Sequence, residues 1–243
     1  MNIVIITAGG VGTRMRSKDK PKQFLEIHGK PIIAHTLLFF ENNENIDAIV
    51  ISCVSEWITY TKNIVKNFNI KKVIAIVPGG KTGQLSIYNG LVEAKKIANG
   101  EKSFVLIHDA VRPLISQKLI DENIKSLETY GSSITVSNVK ETVIEIDNEG
   151  MVLQVPKRSN ARHARAPQGF RLNELLDAHE KALADDRTDF VDSCSLMQHY
   201  GYKLHVVEGL DENIKVTTQS DFYSMRAILT AKEDSQLYWP EED

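Results

Sequence analysis

Cysteine is almost absent: Cys53 and Cys194 are the two in 243 residues. They form no CxxC pair, which excludes a disulfide framework and a thiolate zinc site. The seven histidines are scattered, with neither an HExxH sequence nor an i,i+4 pair, so structural zinc is not expected. No apolar run reaches the roughly 18 residues that a membrane span needs. The opening "MNIVIITAGG" is apolar but short. It has neither a basic start nor a small-residue cleavage site, so no secretory signal is expected and the cytoplasm is the expected compartment. Neither sign of charge dominates. A net charge of −3 gives no global field toward nucleic acid or an anionic membrane, so neither is an expected partner, and any anion has to be held by a local cluster. Repeats, low-complexity tracts and linkers are also missing. With 42% hydrophobic and 25% charged residues, the composition is that of an ordinary soluble globular protein. The length points to one domain over 1–243, large enough to bury a sizeable core.

Short apolar runs alternate with helical patterns. "NIVIIT" (2–7), "IDAIVISC" (46–53), "KKVIAIV" (71–77) and "SFVLIHDA" (103–110) read as buried strands rich in β-branched residues. Between them, "PIIAHTLLFFENN" carries Ile32, His35, Leu38 and Phe39 at helical spacing, with Pro31 suited to a first turn. "SEWITYTKNIVKNF" reads as a helix with Ser55 as its N-cap. "TGQLSIYNGLVEAKKIA" reads as a helix ending near Gly100, and "SQKLIDENIKSLETYG" as one stopped by Gly131. This alternation predicts an α/β protein with a doubly wound, mostly parallel sheet and helices on both faces.

After residue 131 the rhythm changes. "SSITVSNV", "ETVIEI" and "MVLQVP" are three consecutive strand-like segments, the last two joined by the turn "DNEG" (147–150). A hairpin inserted into a doubly wound sheet is an arm, here about 138–160, of the kind that reaches a second subunit, so a homodimer is expected. Residues 171–184 and 191–200 read as helices, "KLHVVEG" as a strand and 217–232 as a last helix, with Thr217 as its N-cap. The acidic tail, 239–243, is expected to be mobile.

Three segments can carry chemistry. In "AGGVGTRM", Gly9, Gly10 and Gly12 directly follow the first strand. In a parallel sheet, ligands bind outside the carboxyl ends of the strands, and glycines let backbone N–H groups approach an anion. Arg14, Arg16, Lys18, Lys20 and Lys22 follow at once. The dinucleotide fingerprint fails, because Met15 stands where its third glycine belongs. A Walker A motif fails at "GGKTG", because its first glycine would fall on Ala75. The loop suits a phosphate, or is a tight turn with a solvated basic face. In "LIHDAVRPL", Asp109 and Arg112 sit at the carboxyl edge of a central strand. Asp109 can hold a divalent cation or accept from a substrate hydroxyl, and Arg112 can clamp a phosphate, or the two form an ion pair that fixes the loop. His108 is expected to pack or hydrogen-bond locally. In "DENIKVTTQSDF", Lys215 lies between apolar Ile214 and Val216 and is either drawn inward or left on the surface.

The segments "AGGVGTRM", "PKQFLEIHGKPIIAHT", "HDAVRP", "PQGF" and "ENIKVTT", in their order and spacing over 1–231, resemble one family. It is the cytidylyltransferases that act on 2-C-methyl-D-erythritol 4-phosphate and on ribitol 5-phosphate. The resemblance implies a Rossmann-like nucleotidyltransferase fold with the inserted β-hairpin as a dimerisation arm. The implied activity is transfer of CMP from CTP to a phosphorylated polyol, with magnesium present and pyrophosphate released. By the same resemblance, Arg14 and Lys22 hold the triphosphate and the departing pyrophosphate, and Lys215 binds phosphate oxygens at the reacting centre. Ala8, Gly9, Gly10 and Gly12 line the nucleotide, with Gly80 and Ser86 near cytosine and ribose. Asp109 and Arg112 face the acceptor. Magnesium is carried mostly by the triphosphate, with Asp109 as its protein ligand. Thr142 and Arg158 match arm positions that reach the acceptor phosphate of the neighbouring subunit. Such transfer needs positioning and charge neutralisation, and no nucleophilic side chain.

The chain departs from the family pattern at Lys81 and Gly83, where an acidic residue and an arginine are usual. Ala166 stands for threonine before "PQ", and Val191 for threonine before "DSCS". With Lys157, Arg158, Arg162 and Arg165, these differences suit ribitol 5-phosphate, or a longer polyol phosphate, at least as well as methylerythritol phosphate. Two rivals remain at this level: a sugar-phosphate nucleotidylyltransferase using another NTP, and a catalytically silent nucleotide-binding relative. A nucleotide-dependent oxidoreductase is opposed by Met15.

Overall fold

A computed structural model of the chain describes residues 1–10, 20–98 and 102–234. Gly12, Arg14 and the tail 239–243, on which expectations fell, lie outside the described residues. The first half runs β1 (Asn2–Ala8), the short β2 (Glu26–Ile27) and β3 (Lys30–Pro31), α1 (Ile32–Glu41), β4 (Ala48–Cys53), α2 (Ile58–Asn67), β5 (Val73–Pro78), α3 (Gly83–Ala98) and β6 (Phe104–Asp109). The second half adds α4 (Gln117–Tyr130), β7 (Ser132–Asn138), β8 (Glu145–Ile146), β9 (Val152–Gln154), β10 (Arg162–Arg171), α5 (Leu172–Ala184), α6 (Ser193–His199), β11 (Val206–Glu208) and α7 (Gln219–Glu233).

Seven strands form the central sheet in the order β11-β7-β10-β6-β1-β4-β5. All neighbours are parallel except β10, which runs antiparallel to both β6 and β7. This is the expected doubly wound, Rossmann-like α/β fold. It follows from the two-residue period of a strand. In β1, Ile3 and Ile5 join α3 and α5 residues such as Leu91 and Leu175 in one core. Val4 and Ile6 join Leu37 of α1 and Ile120 of α4 in the other. Both faces are dry, so the strand reads as an unbroken apolar run. Each such buried side chain contributes about 1.5–3 kcal/mol. A third, smaller core places Val111, Val216 and Met225 of α7 together. It fixes the segment on either side of Lys215.

The hairpin expected over "ETVIEI" and "MVLQVP" is present as β8 and β9, a separate two-stranded sheet. Asp147 accepts from the backbone N–H of Glu149 and Met151, both at 2.9 Å, and Gly150 takes φ +84° in that turn. Gly131 stops α4 at φ +79°, as expected. No helix among the described residues is long and apolar enough to cross a membrane.

Three expectations need correction. Ser55 is not an N-cap: it opens a 3-10 turn, Ser55–Trp57, and α2 starts after Trp57 without a side-chain cap. The N-cap of α7 is Thr218, not Thr217. The Asp221 carboxylate decides this, accepting from the backbone N–H of both threonines and from the Thr217 hydroxyl at 2.7–2.8 Å. The strand β10 was not anticipated. Pro167 cannot donate to a ladder, and Gly169 and the charges around it hide the pattern. The chain accommodates Pro167 by a register shift between Ala164 and Gln168, at a cis Ala166–Pro167 bond.

Candidate active site

The crevice forms where the central strands end. β1 and β6 run side by side with Thr7 opposite Asp109, so Ala8, Gly9 and Asp109 emerge at the same edge. Asp109 is the last residue of β6, and a tight turn (Arg112 N–H to Asp109 C=O, 3.1 Å) brings Arg112 back over it. The Arg112 Nε donates to one carboxylate oxygen at 2.9 Å. Lys215 Nζ donates to the other at 2.6 Å. Lys215 stays at the surface of the crevice, its side chain 43% exposed, and is set beside Asp109 by its buried neighbour Val216, whose N–H is pinned to the Val111 carbonyl at 3.0 Å. Arg112 also donates to the backbone carbonyl of Asn213 at 2.8 Å. One carboxylate between two cations leaves a net positive charge facing the crevice. Desolvation pushes the Asp109 carboxyl up, but Lys215 and Arg112 outweigh it and hold its pKa well below the usual carboxylate range.

Two chambers meet at this cluster. The first, of about 390 Å³, is lined by Ala8, Gly9 and Gly10 after β1, by Lys22, and by Gly80 and Ser86 at the β5-to-α3 passage. Lys81 and Gly83, the departures from the family pattern, also line it. The Gln23 side chain ties the Lys22 turn to β1, donating to the Ala8 carbonyl at 2.8 Å. Ser86 Oγ accepts from the Gly80 N–H at 3.0 Å and donates to the Thr82 carbonyl at 2.9 Å. This clamp leaves no room for larger residues. A Cβ on Gly80 would lie 2.3 Å from Leu85 Cβ, and one on Gly9 would lie 3.0 Å from Ser86 Oγ.

The second chamber, of about 260 Å³, runs under β10 toward α3, α5 and α6. Arg112, Arg165, Ala166 and Val191 line it, as do Gln84, Gln168, His179 and Ser193. Thr7, Gly83, Asp109 and Lys215 line both chambers and mark their junction. Arg165 is held by Ser137 Oγ at 3.0 Å. Its pKa is lowered by burial and then by the neighbouring Arg112 charge. His108 behaves as expected: it is buried against Phe40 and Nε2 meets the Arg112 carbonyl at 3.1 Å. Burial lowers its pKa to about 4.

The structure therefore brings together Ala8, Gly9, Gly10, Lys22, Gly80, Ser86, Asp109, Arg112 and Lys215. It does not bring Thr142 and Arg158 to them within one chain. Both are exposed on the arm, where Arg158 donates to the Lys140 carbonyl at 3.3 Å and Thr142 lines an outer hollow with Lys140 and Asp211 that shares only Arg165 with the second chamber. Arg162 is turned away to pair with Glu208 at 3.1 Å. Arg165 is the one of the four basic residues of "PKRSNARHARAPQ" that lines the second chamber. Among the described residues no group of three or more His, Cys, Asp or Glu is placed to hold a metal ion. Sequence reasoning missed Asn213, Gln84, Gln168, His179 and Ser193. Asn213 lies inside "ENIKVTT", so the motif contained it, but its clamp on Arg112 joins residues 101 apart.

The sequence model of the IspD family, 2-C-methyl-D-erythritol 4-phosphate cytidylyltransferase, matches residues 2–231. A ribitol-5-phosphate cytidylyltransferase of Streptococcus agalactiae serotype III (strain NEM316) is 48% identical over 238 residues, 98% of this chain and 99% of that one. A 2-C-methyl-D-erythritol 4-phosphate cytidylyltransferase of Clostridium botulinum (strain 657 / Type Ba4) is 38% identical over 228 residues, 94% and 97% of the two chains. Among solved structures, the 4-diphosphocytidyl-2C-methyl-D-erythritol synthase of Anaerococcus prevotii DSM 20548 superposes with a TM-score of 0.81 at 29% identity, covering 94% of this chain and 96% of that one. With sequence motifs, strand order and crevice all agreeing along nearly the whole chain, it belongs to the IspD family of cytidylyltransferases.

Proposed function

We propose that this protein transfers CMP from CTP to the phosphate of ribitol 5-phosphate, releasing pyrophosphate. As a member of its family the chain is a CTP-dependent nucleotidyltransferase acting on a polyol phosphate. The ribitol acceptor is favoured by the greater likeness to relatives that carry that name, 48% against 38%. Ala166, smaller than the family's usual threonine, widens the second chamber and adds to this. The observation that carries the mechanism is the junction: Asp109 and Lys215 line both chambers, so two phosphates can meet there.

In this reading an acceptor phosphate oxygen attacks the α-phosphorus of CTP. A new P–O bond forms as the bond to the β-phosphate oxygen breaks, and pyrophosphate carries away the electron pair. The attacker is already ionised at neutral pH, so no strong base is needed. Lys215 sits where charge builds on the reacting phosphates, and Lys22 faces the triphosphate, with Arg14 in the same role. Ala8, Gly9, Gly10 and Gly12 cradle the nucleotide. Ser86 Oγ fixes the Gly80 turn beside the nucleotide, accepting from the Gly80 N–H and donating to the Thr82 carbonyl. Asp109 orients Lys215 and Arg112 and keeps lone pairs for an acceptor hydroxyl. Magnesium neutralises triphosphate charge when bound. Asp109 is the one carboxylate among the described residues lining the nucleotide chamber, which fits an ion held mostly by phosphate oxygens.

The chain works as one nucleotidyltransferase unit, 1–243, in the cytoplasm. It pairs as a homodimer through the arm, 138–160, which carries Thr142 and Arg158 to the neighbour's acceptor phosphate. Exposed apolar side chains on the hairpin, Ile146 at 54% and Leu153 at 61%, support this pairing. A pyrophosphate-release assay with CTP or UTP against ribitol 5-phosphate, erythritol 4-phosphate and 2-C-methyl-D-erythritol 4-phosphate tests the proposal. CTP with ribitol 5-phosphate should give the highest kcat/KM. Faster turnover of methylerythritol phosphate would overturn the acceptor, and no turnover with any pair would favour the silent relative.

A further inference from the structure

The second chamber holds more hydrogen-bonding capacity than the protein itself uses. His179 of α5 is 1% exposed, and neither of its ring nitrogens has a protein partner. Ser193 is 2% exposed, and its Oγ has none either. Both residues line the chamber that begins at Asp109 and Lys215, with their polar atoms just beneath its wall. Buried polar groups are normally satisfied, and leaving one unmade is costly. Their neighbours cannot turn to them. The Gln84 amide is committed to the Arg187 carbonyl at 2.8 Å and the Phe190 N–H at 3.1 Å. The Gln168 amide is committed to Asp192 at 2.8 Å and the Cys194 N–H at 2.9 Å. Those same bonds fix the loop that presents Ser193. Burial lowers the His179 pKa to about 4, so at neutral pH the ring offers one donor and one acceptor. Apolar Ile87, Phe190 and Leu196 share the wall, so the two unpartnered side chains stand among apolar surface and polar groups that are already committed. That is the pattern of a site that reads its ligand.

We propose that His179 and Ser193 determine acceptor specificity by hydrogen-bonding the hydroxyls of the polyol chain at the end remote from its phosphate. A hydroxyl both donates and accepts, so it satisfies the serine and either nitrogen of the imidazole. With the phosphate at the Lys215 junction, an acceptor long enough to place hydroxyls at His179 completes these bonds, and a shorter one leaves them unmade. The inference rests on the polyol-phosphate reading above and adds the residues that measure the chain.

Full-length His179→Leu, His179→Gln and Ser193→Ala enzymes are compared with wild type by steady-state kinetics, using CTP with ribitol 5-phosphate or erythritol 4-phosphate. His179→Leu is expected to lower kcat/KM for ribitol 5-phosphate about 10-fold, mainly through KM, the worth of one or two lost neutral hydrogen bonds. The value for erythritol 4-phosphate should change little, and so should the KM for CTP. His179→Gln, which keeps a donor and an acceptor, should recover part of the loss. Equal losses for both acceptors, or none, would overturn the proposal. If His179→Leu does not fold, as judged by circular dichroism, Ser193→Ala decides by the same ratio. Wild-type failure on every polyol phosphate sinks the proposed function. Wild-type turnover with unaltered selectivity in the variants sinks only this inference.

Discussion

Asp109, Arg112 and Lys215 come from two segments about a hundred residues apart, and each was read from sequence with an alternative beside it. The structure shows that the ion pair forms and that it lines the crevice. The Asp109–Arg112 pair fixes the turn, and Lys215 completes it on the free oxygen. Because two cations hold the Asp109 pKa below the usual range, the cluster keeps its charge pattern in mild acid. The buried imidazoles behave oppositely. Burial lowers both His108 and His179 to about 4, against 6.5 unperturbed. Between those values the unfolded chain binds more protons than the folded one, so stability falls as pH drops through that window. By linkage each imidazole should cost about 2–3 kcal/mol between pH 7 and pH 4.5. Urea unfolding at the two pH values checks this. The His179→Leu enzyme should lose less stability on acidification than wild type by about that amount, and identical losses would contradict it.

At the level of elements, legibility followed burial. The strands β1, β4 and β6 were plain because both faces are dry and the middle of each is an unbroken apolar run. The helices between them were plain from their spacing, and the hairpin from its "DNEG" turn. Where a polar detail decided the outcome, sequence was less informative. Two adjacent threonines compete for the cap of α7, and Asp221, reached only through the fold, chooses Thr218. β10 escaped notice because Pro167 and Gly169 break its pattern, yet it carries Arg165, Ala166 and Gln168 into the second chamber. The first chamber was read from motifs: Gly9, Gly80 and Ser86 meet at one clamp there. In the second chamber Asp109, Arg112, Arg165, Ala166 and Val191 were singled out from sequence, but His179 and Ser193 were not, since they sit on helices where a lone polar residue looks like any other.

For the whole molecule, the arm is the feature that a single chain does not explain. Its apolar side chains face solvent, and Thr142 and Arg158 stand apart from the crevice. Sedimentation should show a dimer, and the double variant Ile146→Glu/Leu153→Glu should give folded monomers with most ribitol 5-phosphate turnover lost. A monomeric wild type with full activity would contradict the arm's role. The crevice itself is tested most directly by phosphorus NMR of CTP, ribitol 5-phosphate and magnesium, with wild type beside Lys215→Ala. Wild type should convert the acceptor's monophosphate signal into a coupled pair from a new diphosphate diester while free pyrophosphate appears. Lys215→Ala should do so about 100-fold more slowly, the scale of one lost charge-stabilising donor. An unchanged monophosphate signal with wild type, or equal rates from both proteins, would contradict the account.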